Sequence, residues 1–215
     1  EDAANFATAE FVDFLRGYVE KRRNDPRDDL ITSLIAAEED GEKLTPDELI
    51  GTCILLLNAG HEATVHSMGN AVKCLLEHET PAAALAPDQI NATVEELLRY
   101  DPPLHMFTRF AYEDIELDGV PLRKGDDIAL MLGAAARDPA VYENPDAFDP
   151  YRPAKPHAVF GGGLHFCVGA PLARMELQVA LPALFGRLPK MTLAEAPRYA
   201  MSYHFHKLDR LMIAP

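Results

Sequence analysis

No proline occurs between Pro46 and Pro81, and that stretch opens with a complete helix-start signature. Thr45 suits the N-cap, Pro46 the first helical position, and Glu48 stands three residues after the cap, the capping-box spacing. A helix from Pro46 to about Glu79 is predicted, roughly 50 Å long at 1.5 Å per residue. Its first half, Ile50–Ala59, is apolar nearly all round, which predicts burial on every side. The apolar run is broken by Gly51, Thr52 and Asn58 and is too short to span a bilayer.

The other segments are read around that helix. Residues 1–100 form a helix-rich region. Phe11, Phe14, Leu15, Tyr18 and Val19 recur at helical spacing until Pro26, and Asp28–Glu39 predicts a shorter helix. Gly41 and Lys43 belong to a connection. Gln89–Tyr100 is a further helix that must stop before Asp101-Pro102-Pro103.

Residues 101–160 change character. Ile115, Leu117 and Val120 flank Asp118-Gly119, a hairpin signal, and Ile128–Leu132 reads as a strand. From Arg137 to Pro156 five prolines predict a long irregular loop. A glycine-rich loop and a helix from Pro171 to Gly186, kinked at Pro182, fill 160–190. Short strands fill 191–215. The fold class is mainly α with small β-sheets, an α+β arrangement.

Twenty basic against 34 acidic side chains give a formal charge of −14. Phosphate affinity comes from Lys and Arg, so nucleic acid is a poor partner, as is an anionic membrane surface. Cys53, Cys74 and Cys167 lie far apart with no CxxC pair, which removes zinc-ribbon and thioredoxin readings. An odd cysteine count points to reduced thiols and a cytoplasmic protein.

Three constellations carry chemistry. The first is Phe160-Gly161-Gly162-Gly163-Leu164-His165-Phe166-Cys167-Val168-Gly169-Ala170, a glycine-rich turn that delivers a cysteine to the mouth of a helix. Glycines let backbone approach a ligand closely. Helix-terminal N–H groups favour a thiolate, which serves either as nucleophile or as iron ligand. The second is Ala59-Gly60-His61-Glu62-Ala63-Thr64. Here Glu62 interrupts an apolar helix, where a carboxylate must be paired or functional. A helix emerging into solvent accounts for it equally well, and His61 is a bystander. The third is Glu96-x-x-Arg99, an i, i+3 pair on one helix face.

Together these residues resemble the cytochrome P-450 family of haem-thiolate monooxygenases, in particular its soluble bacterial members. Phe160, Gly161, Gly163, His165, Cys167 and Gly169 fit the family's Phe-Gly-x-Gly-x-His-x-Cys-x-Gly pattern. Glu96-x-x-Arg99 fits its Glu-x-x-Arg helix. Phe148-Asp149-Pro150-Tyr151-Arg152 fits the segment that brings Arg152 to that pair. Ala59-Gly60-x-Glu62 fits the oxygen-binding helix. The resemblance implies the haem-ligand, C-terminal half of one larger domain, so that 1–215 is a single partial domain.

By that resemblance Cys167 ligates the iron of haem b, with N–H groups around it, Gly169 among them, tuning the sulfur. Arg109 and His165 match positions that hold the haem propionates. Glu62, Ala63 and Thr64 match the oxygen-side positions, and Leu104, His105, Met106 and Phe107 approach the haem from the substrate side. Glu96, Arg99 and Arg152 form a structural network. O2 is the co-substrate, a small apolar molecule is hydroxylated, and electrons come from a ferredoxin or flavodoxin-type donor. Arg174, Arg187 and Lys190, against Glu176 alone, make the 160–190 stretch locally basic and suited to an acidic redox protein.

Two departures stand against the family pattern. Ala63 occupies the place of the usual threonine, which leaves Glu62, ordered water, Thr64 or a substrate hydroxyl to relay protons. The chain is also about half the family's length, which predicts an exposed apolar helix at Ile50–Ala59 if nothing else covers it. These departures keep open a truncated haem-binding protein without turnover. A third reading, a cysteine-nucleophile enzyme that uses Cys167 with His165, carries little weight.

Overall fold

The computed structural model describes residues 2–39 and 44–215, so the predicted connection at Gly41 and Lys43 lies outside the described residues. The chain forms two compact units that divide within one helix, at Glu62 and Ala63.

The first unit is helical. Helix α1 (Asp2–Asn24) ends just ahead of Pro26, with Lys21, Arg22 and Arg23 in its last turn, where cations complement the helix dipole. Helix α2 (Leu30–Glu39) follows. Helix α3 (Pro46–Glu77) starts on the predicted capping box. The Thr45 N–H donates to Glu48 Oε2 at 2.8 Å and the Glu48 N–H donates to Thr45 Oγ1 at 3.3 Å. The bond from the Thr45 backbone holds the Glu48 carboxyl below its ordinary range. Leu15 and Val19 of α1, Ile35 of α2, and Leu49, Ile50 and Cys53 of α3 close a small core.

Phe14 shares the helical spacing of Leu15 and Val19 but is 64% exposed, where its ring stacks on Tyr18 at 6.3 Å between centroids. One expectation is corrected in this unit. The Ile50–Ala59 stretch is not enclosed on every side, since Leu55 and Leu57 are 64% and 54% exposed. The reason is geometric. Within the unit α1 and α2 pack on the face that carries Leu49, Ile50 and Cys53, and a helix has more than one face.

The second unit is built on the rest of α3, α4 (Ile90–Tyr100) and α6 (Ala170–Arg187). Its core joins Val72 and Leu75 of α3, Val94, Leu97 and Leu98 of α4, and Leu177 and Leu181 of α6. Pro182 lies inside α6.

The described residues also form four two-stranded antiparallel sheets. They pair β1 (Phe107–Phe110) with β4 (Asp127–Leu130), and β2 (Ile115–Leu117) with β3 (Val120–Leu122). They also pair β5 (Thr192–Leu193) with β8 (Ile213–Ala214), and β6 (Arg198–Tyr199) with β7 (Leu208–Arg210). Asp118 and Gly119 both take positive φ, 48° and 78°, as a two-residue turn of type I′ requires. The strand predicted over Ile128–Leu132 is shifted, because Leu132 is buried and begins the single turn α5 (Leu132–Ala135). Among the described residues no helix is long and apolar enough to cross a membrane.

Candidate functional site

The glycine-rich loop has the conformation its composition demands. Gly161 adopts φ 73° and ψ −159°, a region essentially closed to other residues, and Gly163 adopts φ 65°. These two reversals fold the chain back so that the Cys167 N–H donates to the Phe160 carbonyl at 2.9 Å. The Ala170 N–H then donates to the Cys167 carbonyl at 3.2 Å, and α6 begins. Cys167 therefore sits immediately ahead of the positive end of an 18-residue helix. Its Sγ lies 3.8 Å from the place where a Cβ on residue 169 would stand, an ordinary contact distance.

Of the three free thiols, Cys167 is the reachable one. Cys53 and Cys74 are buried, and burial pushes both thiols up, which keeps them protonated core residues. Leu164, Phe166 and Val168 flank Cys167 with largely exposed apolar side chains. Among the described residues no group of three His, Cys, Asp or Glu side chains could share a metal ion. A half-buried lone thiol, bordered by exposed apolar side chains and by Gly162 and Gly163 with open space where a Cβ would stand, fits a single protein ligand to an apolar group that carries its own metal. It does not fit a zinc site. His165 is exposed, and no hydrogen bond or ion pair joins it to Cys167.

Glu96 lies at the centre of a buried network that brings all three predicted members together. Arg99 grips its carboxylate and also donates through Nη1 to the carbonyls of Ala136 and Pro145, each at 2.9 Å. Arg152 Nε donates to Glu96 Oε2 at 3.1 Å, and the Asp149 N–H to Oε1 at 3.0 Å. Arg152 also donates to the carbonyls of Glu143 and Ala147. The irregular, proline-rich loop is thus pinned through its own carbonyls, the groups that such a loop cannot satisfy internally.

A second cluster lies one helical position away. Arg174 Nε and Nη2 donate to the two oxygens of Glu95 at 2.5 and 3.0 Å, and its guanidinium stacks 4.5 Å above the Phe160 ring. His157 Nε2 stands 3.1 Å from Glu95 Oε2. Burial alone would raise the Glu95 carboxyl, but the nearby His157 ring and the Arg174 guanidinium outweigh it and hold the carboxyl down at about 2. Arg174, one of the three cations expected to make this stretch basic, is thus half-buried with its charge matched.

Sequence reasoning missed a third cluster. Lys73 Nζ bonds Asp101 Oδ2 at 3.0 Å, and the Tyr199 hydroxyl donates to the same oxygen. His206 Nε2 lies 3.1 Å from Asp101 Oδ1, and its ring stacks on Tyr199 at 3.9 Å. The Asn70 side-chain amide donates to the carbonyls of Asp101 and His206. The one signal available was three polar residues, Asn70, Lys73 and Asp101, at positions where the apolar spacing of α3 and α4 asks for core.

The remaining predicted residues are placed as follows. Ala59 and Gly60 are exposed and Glu62, Ala63 and Thr64 half-buried, consecutive on unbroken α3. Leu104 forms an isolated bridge with Phe205, His105 Nε2 lies 3.3 Å from the Tyr203 carbonyl, Met106 is buried, and Phe107 meets His204 edge-on. Arg109 is exposed on β1, where its Nη1 donates to the Thr108 carbonyl.

Comparison with known proteins points to one family. The family model described as "Cytochrome P450" matches residues 89–189, which include Glu96, Arg99, Arg152 and the Cys167 loop. The "Biotin biosynthesis cytochrome P450" of Bacillus subtilis is 42% identical over 212 residues, 97% of this chain and 53% of that protein. The "6-deoxyerythronolide B hydroxylase" of Saccharopolyspora erythraea is 42% identical over 190 residues, 87% of this chain and 47% of that protein. The crystal structure of P450BioI in complex with an acyl carrier protein ligated by hexadec-9Z-enoic acid superimposes with a TM-score of 0.91 at 41% identity. It is matched over 99% of this chain and 55% of that one. The chain spans about half the length of the curated relatives it matches. The cysteine loop, the buried Glu-x-x-Arg network and these matches together make this a chain of the cytochrome P450 family.

Proposed function

We propose that this chain carries the haem-ligand portion of a haem-thiolate monooxygenase that hydroxylates a small, mostly apolar organic molecule. The observation that carries the reading is Cys167, a free, half-buried thiol set between two positive-φ glycines and the start of α6. Cys167 would hold haem b through its thiolate, and the group would supply reductive activation of O2. The chain's residues do the rest. Cys167 anchors the group, the Cys167 and Gly169 backbone orients and tunes the sulfur, and Phe160 and Gly161 shape the loop beneath it.

Arg109 and His165 take the anionic edge of the group, a task suited to an exposed guanidinium and imidazole. Leu104, His105, Met106 and Phe107 contribute one wall of the substrate space. In place of the hydroxyl that Ala63 lacks, Glu62, ordered water, Thr64 or a substrate hydroxyl relays protons. Glu96, Arg99 and Arg152 act as scaffold. Electrons arrive from a ferredoxin or flavodoxin-type donor, and the reaction belongs to the cytoplasm.

Ala63 favours a second reading, a haem-binding protein without turnover. The absorption spectrum of the reduced, carbon-monoxide-bound protein separates the cases. A thiolate-type band that disappears in Cys167→Ala, together with substrate oxidation, supports the monooxygenase. The same band without oxidation supports the second reading. No haem band at all overturns both.

A further inference from the structure

The Glu95–Arg174–His157 cluster has no part in the ligation or scaffold roles assigned above, yet it reaches the cysteine loop directly. Arg174 projects from the second turn of α6, the helix that Cys167 precedes, and lies flat on Phe160 at 4.5 Å. Phe160 supplies the carbonyl that accepts the Cys167 N–H. Glu95 binds Arg174 through both oxygens, and the His157 side chain is almost wholly buried against the same carboxylate. A guanidinium so held is fixed between Glu95 and the Phe160 ring of the ligand loop.

We propose that Arg174 and Glu95 are tuning residues for Cys167: an opposed pair of fixed charges, clamped to the ligand loop through Phe160, that sets the electrostatic potential at the sulfur. This rests on the haem-thiolate reading. Neither residue touches the reacting atoms. Each acts through the loop and through space, at a partly desolvated site where Coulomb energies are less screened than in water.

The pair makes a signed prediction. A positive charge near the centre disfavours the oxidised, more positive iron, and a negative charge favours it. Arg174→Gln should therefore lower the reduction potential of the haem-loaded protein, and Glu95→Gln should raise it. The double variant should return close to the parent value. Arg174→Lys keeps the charge and should stay near the parent value even if its ring stacking is lost.

Spectroelectrochemical titration of the haem-loaded protein, with the carbon-monoxide spectrum recorded in parallel, reads these shifts. A purely structural role would move both single variants in the same direction, or neither, and either result overturns the proposal. If Arg174→Gln does not fold, Glu95→Gln and Arg174→Lys decide, one moving up and the other holding. A parent protein that takes up no thiolate-ligated haem instead overturns the underlying reading, and this inference with it.

Discussion

Arg99 holds Glu96 through two parallel hydrogen bonds, Nε to Oε2 at 2.7 Å and Nη2 to Oε1 at 2.8 Å, with each side chain 2% exposed. The carboxylate also serves Arg152. Glu96→Ala would strand two guanidiniums, one of them fully buried, without their anion. Breaking a buried pair in this way costs about 3–5 kcal/mol. Urea denaturation of the variant should show that loss; a cost below about 1 kcal/mol would mean the carbonyl contacts alone hold the loop.

Lys73 and Asp101 tie α3 to the segment that carries Tyr199 and His206. Lys73→Met leaves Asp101 buried beside Tyr199 and His206 with its main counter-charge gone, and should also cost about 3–5 kcal/mol. Tyr199→Phe removes only one hydrogen bond and should cost about 1 kcal/mol. Hydrogen exchange provides the check: amides of 198–208 should open faster in Lys73→Met, while those of α4 change less.

Acid should weaken the second unit through its carboxylates. The folded Glu95 carboxyl sits at about 2, below its ordinary 4.5, and Asp101 is lowered as well. Groups lowered on folding add stability above their unfolded pKa and lose it as pH falls through the folded one. Stability should therefore be retained down to about pH 4.5 and decline toward pH 2, with Glu95 contributing up to about 3 kcal/mol. Chemical denaturation at a series of pH values tests the sign, and Glu95→Gln should flatten the decline.

Gly161→Ala should cost about 1–3 kcal/mol, because φ 73° with ψ −159° is strained for any residue with a Cβ. The space around that Cβ is nearly open, its nearest neighbour being the His165 carbonyl at 3.7 Å, so the penalty is backbone strain and not a clash. Haem retention should fall with it. Gly162→Ala, at an extended φ of −160°, is the matched control and should be close to neutral.

Ala63→Thr restores the hydroxyl that the proton-relay proposal says is replaced. Product yield per electron should change and peroxide release should fall. Unchanged yield and leakage would remove the reason for assigning a relay to Glu62 and Thr64.

The helices were legible because their signals are local. The Thr45–Glu48 box, Pro26, and Asp101-Pro102-Pro103 each mark an end within a few residues, and the Asp118-Gly119 turn specifies its hairpin alone. The cysteine loop was legible for the same reason. What escaped was chemistry assembled across distance. Nothing local marks Lys73 as the partner of Tyr199, or Glu95 as the partner of Arg174. Charge counting along 160–190 took Arg174 for a free cation because its counter-ion comes from another helix. The enclosure expected for Ile50–Ala59 failed likewise: apolar character states what a side chain avoids, not which element is there to cover it.

Asn70 spans 136 positions to reach the His206 carbonyl, and Lys73 spans 126 to reach Tyr199. Closing loops of that length is entropically costly before any contact repays it, whereas the α1–α2 contacts need only short loops. The chain therefore carries two clocks. The helical contacts before Glu62 can form early and independently, while the unit after it must wait for its last strands to find a cluster begun on α3. In that interval Lys73 and Asp101 remain solvated, and the half-built unit is the species that chaperones and proteases would meet.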